Sequence, residues 1–267
     1  MIISPTVELL FGLATCFATY LILRGGWTSP YRTTIIGLDP QGLGLSALAV
    51  AAAVWFFGPT FGLSLILIIV IHEFGHVAAF RIAGHQDASF RLVPLLGGYA
   101  ISNRPVEGHD EDVFISLMGP AICIAPMMLA YGIEAVTRTI NPEWSIALLT
   151  FASVCGALNF FNLLPIWPLD GGKLTASILS TYHERLPFFV FAISTALIGV
   201  LALLNQSIFL IFIVVMGVQH LVSTGGSDGR APYRRMSKQR ATLCLFAWLF
   251  TAAALFWGGL GTILRFV

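Results

Sequence analysis

The chain has 267 residues, 57% of them hydrophobic and 10% charged, with a net charge of +1 and a mean hydropathy of +0.86. Soluble globular domains carry about 25% charged residues, so this composition excludes an ordinary soluble fold and points to a polytopic membrane protein. A near-neutral chain with no basic or acidic tail gives a nucleic acid nothing to hold, and no such partner is expected.

Apolar runs at 6–23, 43–57, 61–83, 113–133, 144–165, 187–204, 207–222 and 241–262 are the candidate spans. Several fall short of the ~20 residues that cross a bilayer comfortably, which suits tilted or re-entrant segments. The segment MIISPTVELLFG lacks the basic region and cleavage site of a signal peptide, so the first run is read as a retained span. Gly58-Pro59-Thr60 predicts a tight turn, and Asn205-Gln206-Ser207 either a turn within a helical hairpin or a kink. Arg230, Arg234, Arg235, Lys238 and Arg240 against one Asp228 place the 223–240 loop in the cytoplasm. Alternating crossings put the 24–42 and 84–112 loops on that same side and the 134–143 loop opposite. Cys16, Cys123, Cys155 and Cys244 lie far apart in apolar stretches and read as small buried hydrophobes.

The third run contains Ile71-His72-Glu73-Phe74-Gly75-His76, an HExxH pattern. On a helix, residues four apart share one face about 6 Å apart along the axis, so both imidazoles can reach one ion. Glu73 then stands beside it, as a base for water that the metal acidifies. Two histidines and a carboxylate are costly in an apolar helix, and ionisable groups there mark function. Histidine pairs of this kind take a third protein ligand and keep a fourth position open. The best supplier is Asp170 in Asn162-Leu-Leu-Pro165-Ile-Trp-Pro168-Leu-Asp170-Gly171-Gly172, where two prolines break the helix and two glycines relax the backbone. The plainer alternative is Asp170 as the N-cap of a helix at 173–181.

Gly156, Asn159 and Asn162 form a drifting polar stripe on the fifth span. Such stripes pack helices together, and Asn162, close before Asp170, could also orient substrate or stabilise an oxyanion. Residues 88–101 read as short extended segments around a Gly97-Gly98 turn, whose exposed edge could accept an unwound peptide by β-augmentation. A surface hairpin without substrate contact is the alternative. His85 and His109 read as solvated loop residues, and Asp110-Glu111-Asp112 as a solvated helix start.

HEFGH in one apolar helix and NLLPIWPLDGG downstream resemble the site-2 protease family, whose pattern is HExxH followed by NxxPxxxxDG. Asn162, Pro165, Asp170 and Gly171 fit that spacing without a gap, and Ser116-Leu-Met-Gly119-Pro120 is similar to the family's intervening Gly-Pro element. The resemblance covers about 60–180. It implies one Zn2+ per chain on His72, His76 and Asp170, with Glu73 as the catalytic base and substrate contacts from Asn162, Gly97 and Gly98. It also implies cleavage of membrane-protein substrates in or near their transmembrane segments, in regulated intramembrane proteolysis. The expected fold class is an all-α polytopic bundle of about six to eight transmembrane segments with a short hairpin-like loop near the active site. Residues 1–267 are read as one membrane-embedded domain with no inserted peptide-binding or appended regulatory domain. Substrate choice then falls to the core, its loops or an unidentified regulatory partner. The lipid bilayer of the cell (inner) membrane is the expected setting. A metal-binding transporter or scaffold without proteolysis would use the same ligands but has no need of Glu73.

Overall fold

The computed structural model describes residues 4–27, 35–36, 40–93, 97–224 and 234–266. It is mostly helical: α1 (Pro5–Trp27), α2 (Pro40–Phe57), α3 (Pro59–Ile82), α4 (His109–Ile122), α5 (Ile124–Thr137), α6 (Pro142–Asn162), α7 (Asp170–Leu179), α8 (Leu186–Leu204), α9 (Ile208–Thr224) and α10 (Lys238–Phe266). Short strands β1 (Ile35–Ile36), β2 (Ser89–Val93) and β3 (Gly97–Ile101) pair in that order, β1 parallel to β2 and β2 antiparallel to β3.

Six helical stretches among the described residues are long and apolar enough to cross a bilayer: Pro5–Gly26, Pro59–Ile82, His109–Thr137, Pro142–Asn162, Leu186–Leu204 and Lys238–Leu264. The chain is an integral multi-pass membrane protein. The runs at 43–57 and 207–222 fall in α2 and α9, whose described apolar parts are Ser46–Phe57 and Leu210–Ser223, so the six long stretches lie within the expected six to eight segments. The run at 113–133 is two helices in line. Pro120 and Pro126 each lack the N–H that a continuous helix needs, and the chain breaks between them at Cys123.

Polarity is inverted relative to a soluble protein. Trp55, Leu203, Phe250 and Trp257 project outward, while His72, Glu73, His76, Asn159 and Asp170 are buried. Outward apolar groups meet lipid at no cost, so the buried polar set is what demands explanation. Gly58 makes the α2–α3 turn at φ 80°, a left-handed backbone that a side chain would resist, and Gln206 (φ 49°) turns α8 into α9.

The 84–112 and 234–240 segments meet at one end of the bundle. Gly108 bridges Arg234, and Arg240 donates to Asp110 at 3.1 Å. Arg32, Asp228 and Arg230 lie outside the described residues. Three loop readings need correction here. His85 is fully buried, with Nδ1 2.8 Å from Ser102 Oγ and Nε2 2.7 Å from Glu111 Oε1. His109 is buried too, and Asp112 is buried with the Ser177 hydroxyl donating to it. These groups look solvated in sequence because the strands, α4 and α7 that enclose them are remote along the chain. Beside His85, the Asn103 N–H holds the Asp87 carboxyl below its ordinary pKa, helped by the Ser102 hydroxyl.

Candidate metal centre

On α3, Ile68, His72, Glu73, Gly75, His76 and Ala79 face inward, so the HExxH residues are buried against α4 and α6. The chain leaves α6 at Asn162 and crosses 163–169 without regular helix, because Pro165 and Pro168 have no N–H to continue it. A break inside a membrane bundle needs partners for its backbone. The Trp248 indole on α10 donates to Leu163 O at 3.1 Å, and Leu169 N–H to Ile166 O at 3.0 Å. Asp170 opens α7, where the helix dipole favours a carboxylate. The alternative of Asp170 as a helix N-cap does not hold: Leu169 takes that place, and the Asp170 side chain turns to the histidines.

The three groups converge. His72 Nε2 lies 3.1 Å from His76 Nε2, and Asp170 Oδ2 lies 3.1 Å from the first and 3.2 Å from the second. Zinc bonded tetrahedrally at about 2.0–2.1 Å sets its ligand atoms roughly 3.3–3.4 Å apart, close to this triangle.

The outer partners sharpen the fit. His72 Nδ1 is 2.7 Å from Asn159 Oδ1, and His76 Nδ1 is 2.7 Å from Ile115 O. Both partners are pure acceptors, so each Nδ1 carries the proton and each neutral ring turns a bare Nε2 lone pair inward. Three acceptors then face one another with no donor among them. A cation at their centre converts that repulsion into binding, and this donor set suits zinc. The carboxamide of Asn159 is itself fixed by donation to Cys155 O at 2.9 Å. In sequence Asn159 reads only as part of a packing stripe, and its three-residue spacing from Asn162 is the signal that points to the site.

A cavity of about 600 Å³ opens on this cluster, lined among others by Glu73, Asn162, Asp112, Lys173 and Trp167. Asn162 therefore shares a wall with the histidines and Asp170, and Ala100 of β3 lines the same space. Gly97 and Gly98 open β3, opposite Val93 and Leu92. They are strand residues rather than a turn, because both belong to the paired ladder; residues 94–96 lie outside the described residues. The Lys173 ammonium sits 3.0 Å from Asp170 Oδ1, on the side away from the imidazoles.

Gly119 on α4 fits against the ring of His76. A Cβ there would stand 2.3 Å from His76 Nε2, far inside van der Waals contact. Gly119→Ala is expected to displace the ring from Ile115 O and to lower zinc affinity about 10–100-fold. Chelator competition on the purified protein measures this, and an unchanged affinity would show that the ring does not need this space.

The profile of the family described as Peptidase family M50 matches residues 126–205, a stretch holding Asn159, Asn162, Asp170 and Lys173. Stage IV sporulation protein FB of Bacillus subtilis is 33% identical over 129 residues, covering 47% of this chain and 41% of that protein. Putative zinc metalloprotease Rip3 of Mycobacterium tuberculosis is 30% identical over 141 residues, covering 50% of this chain and 34% of that one. The solved Site-2 Protease from Methanocaldococcus jannaschii aligns with a TM-score of 0.44 at 18% identity, covering 73% of this chain and 90% of that chain. The matches span less than half the length of these two curated relatives. Over residues 126–205 the chain is thus similar to peptidase family M50, and over about half its length to these two curated relatives.

Proposed function

We propose that the protein is an intramembrane zinc metalloprotease that hydrolyses peptide bonds in or near the transmembrane segments of other membrane proteins. The observation that carries this reading is the convergence of His72, His76 and Asp170 on a cavity that Glu73 also lines, inside an apolar bundle. Ligands alone would serve a metal carrier equally. A buried carboxylate on the same wall, beyond the ligand set, serves hydrolysis. The similarity to the Mycobacterium relative, named as a zinc metalloprotease, supports zinc as the metal.

In this reading His72, His76 and Asp170 hold one zinc ion, which when bound polarises the scissile carbonyl and brings the pKa of water to about 7. Glu73 takes the proton from the attacking water and passes it to the departing amine. Asn162 orients the peptide and donates its amide N–H to the developing oxyanion. A helical substrate must unwind, because its own hydrogen bonds shield the carbonyl. The edge of β3 away from β2 has no strand partner among the described residues, and Gly97 and Gly98 would let a substrate strand come close. Residues 1–267 act as one membrane domain with its core at about 60–180, placed in the cell (inner) membrane. The product is a released fragment, as regulated intramembrane proteolysis requires.

The experiment is cleavage-site mapping of single-span proteins co-reconstituted with the purified chain. Cuts should fall within or beside the span, stop when a chelator strips the metal, and return when zinc is restored. Cleavage that persists in metal-free protein overturns the proposal.

A further inference from the structure

Asp170 is held from two sides. Oδ2 faces both imidazoles at 3.1 and 3.2 Å, while Oδ1 accepts from Lys173 Nζ at 3.0 Å. Lys173 stands one turn further along α7, so the contact is built into the helix by the three-residue spacing. Its side chain is partly exposed, and it is the one lysine or arginine among the described residues lining the cavity. The other charged groups on that wall are acidic: Glu73, Asp112 and Asp170. The preceding residues, Gly171 and Gly172, pack against the backbone of 163–167, which fixes where α7 starts and hence where Lys173 points.

We propose that Lys173 is a positioning residue that keeps Asp170 a one-oxygen ligand of the metal and draws charge away from it. The inference rests on the metal-site reading given above. A carboxylate with both oxygens free can close on an ion through both, filling the position that a catalytic site leaves for water or substrate. An ammonium on Oδ1 prevents this closure. It also opposes the charge of a cation held on Oδ2, so the site binds zinc less tightly than its ligands alone would. A weaker third donor leaves the metal more strongly polarising, which suits catalysis better than storage. The lysine thus trades metal affinity for an open, acidic metal.

The sign of this trade supplies the test. Lys173→Met removes the charge and keeps most of the stem. It should bind zinc about tenfold more tightly than the parent in chelator competition. Cobalt substitution reports the coordination directly: a four-coordinate ion absorbs strongly in the visible, and closure by the second oxygen weakens the bands. The parent and Lys173→Arg should give the strong spectrum, and Lys173→Met the weak one. A lysine that only supports the fold behaves oppositely, with weaker zinc and a lower melting temperature of the metal-free protein. Weaker or unchanged zinc binding in a folded Lys173→Met protein therefore overturns the proposal. Should that variant not fold, Lys173→Gln decides, since it keeps a donor without charge and should also tighten zinc. A parent protein that takes up neither zinc nor cobalt overturns the metal-site reading itself, independently of any variant.

Discussion

Asp170→Ala protein is expected to emerge from purification with almost no zinc, where the parent carries about one ion per chain. Two physical effects act in the same direction. The variant loses the only anionic member of the three-residue cluster, leaving two neutral imidazoles 3.1 Å apart. It also leaves the Lys173 ammonium without the carboxylate that faced it at 3.0 Å, so an uncompensated cation then stands beside any metal that enters. Loss of an outer partner of a ligand typically costs about 10–100-fold in affinity, and loss of the ligand itself should exceed that. Metal analysis after size-exclusion chromatography measures it, the elution position reporting whether the bundle is intact. Asp170→Asn serves as a second variant, because it preserves the shape at the start of α7 while giving up the charge. Full zinc content in either variant would remove Asp170 from the ligand set, and the break at 163–169 would then need another explanation.

How much of this site could be read from sequence depends on whether the signal was local. His72, Glu73 and His76 stand out because four-residue spacing on an apolar helix leaves little else for such groups to do. Asp170 needed two distant segments to meet, and the paired motifs supplied that link before the geometry did. Asn159 was less legible. A carboxamide in a membrane helix can bond to any neighbouring helix, and nothing local says that its partner is His72 Nδ1. His85 and Asp112 were misread because burial in the loop region is made by the strands and by α7 closing over them. The turns between helices were legible because Gly58-Pro59-Thr60 and Asn205-Gln206-Ser207 interrupt the apolar pattern, and the backbone reverses there through positive φ at Gly58 and Gln206. The importance of Gly119 was half visible, as part of a Gly-Pro element. Its reason, the ring of His76 lying where a Cβ would be, exists only in three dimensions.

Glu73→Gln should separate chemistry from metal binding. Glutamine has nearly the same shape and fits the same buried place on α3, yet it cannot accept the proton that hydrolysis must move. General base catalysis contributes about 10²–10⁴-fold, or roughly 3–5 kcal/mol of barrier, so cleavage of a reconstituted substrate should fall by that factor. Zinc should stay, because the converging ligand atoms belong to His72, His76 and Asp170 and the outer bonds to Asn159 and Ile115 are untouched. The two variants therefore share one outcome and differ in the other: Asp170→Ala loses both cleavage and metal, whereas Glu73→Gln loses cleavage with the metal in place. A Glu73→Gln protein that cuts at the parent rate would pass the role of base to another carboxylate on the cavity wall. Asp112 is the one available, since Asp170 is committed to the histidines and Lys173. A Glu73→Gln protein that loses zinc would instead place Glu73 among the groups holding the ion, beside His72, His76 and Asp170.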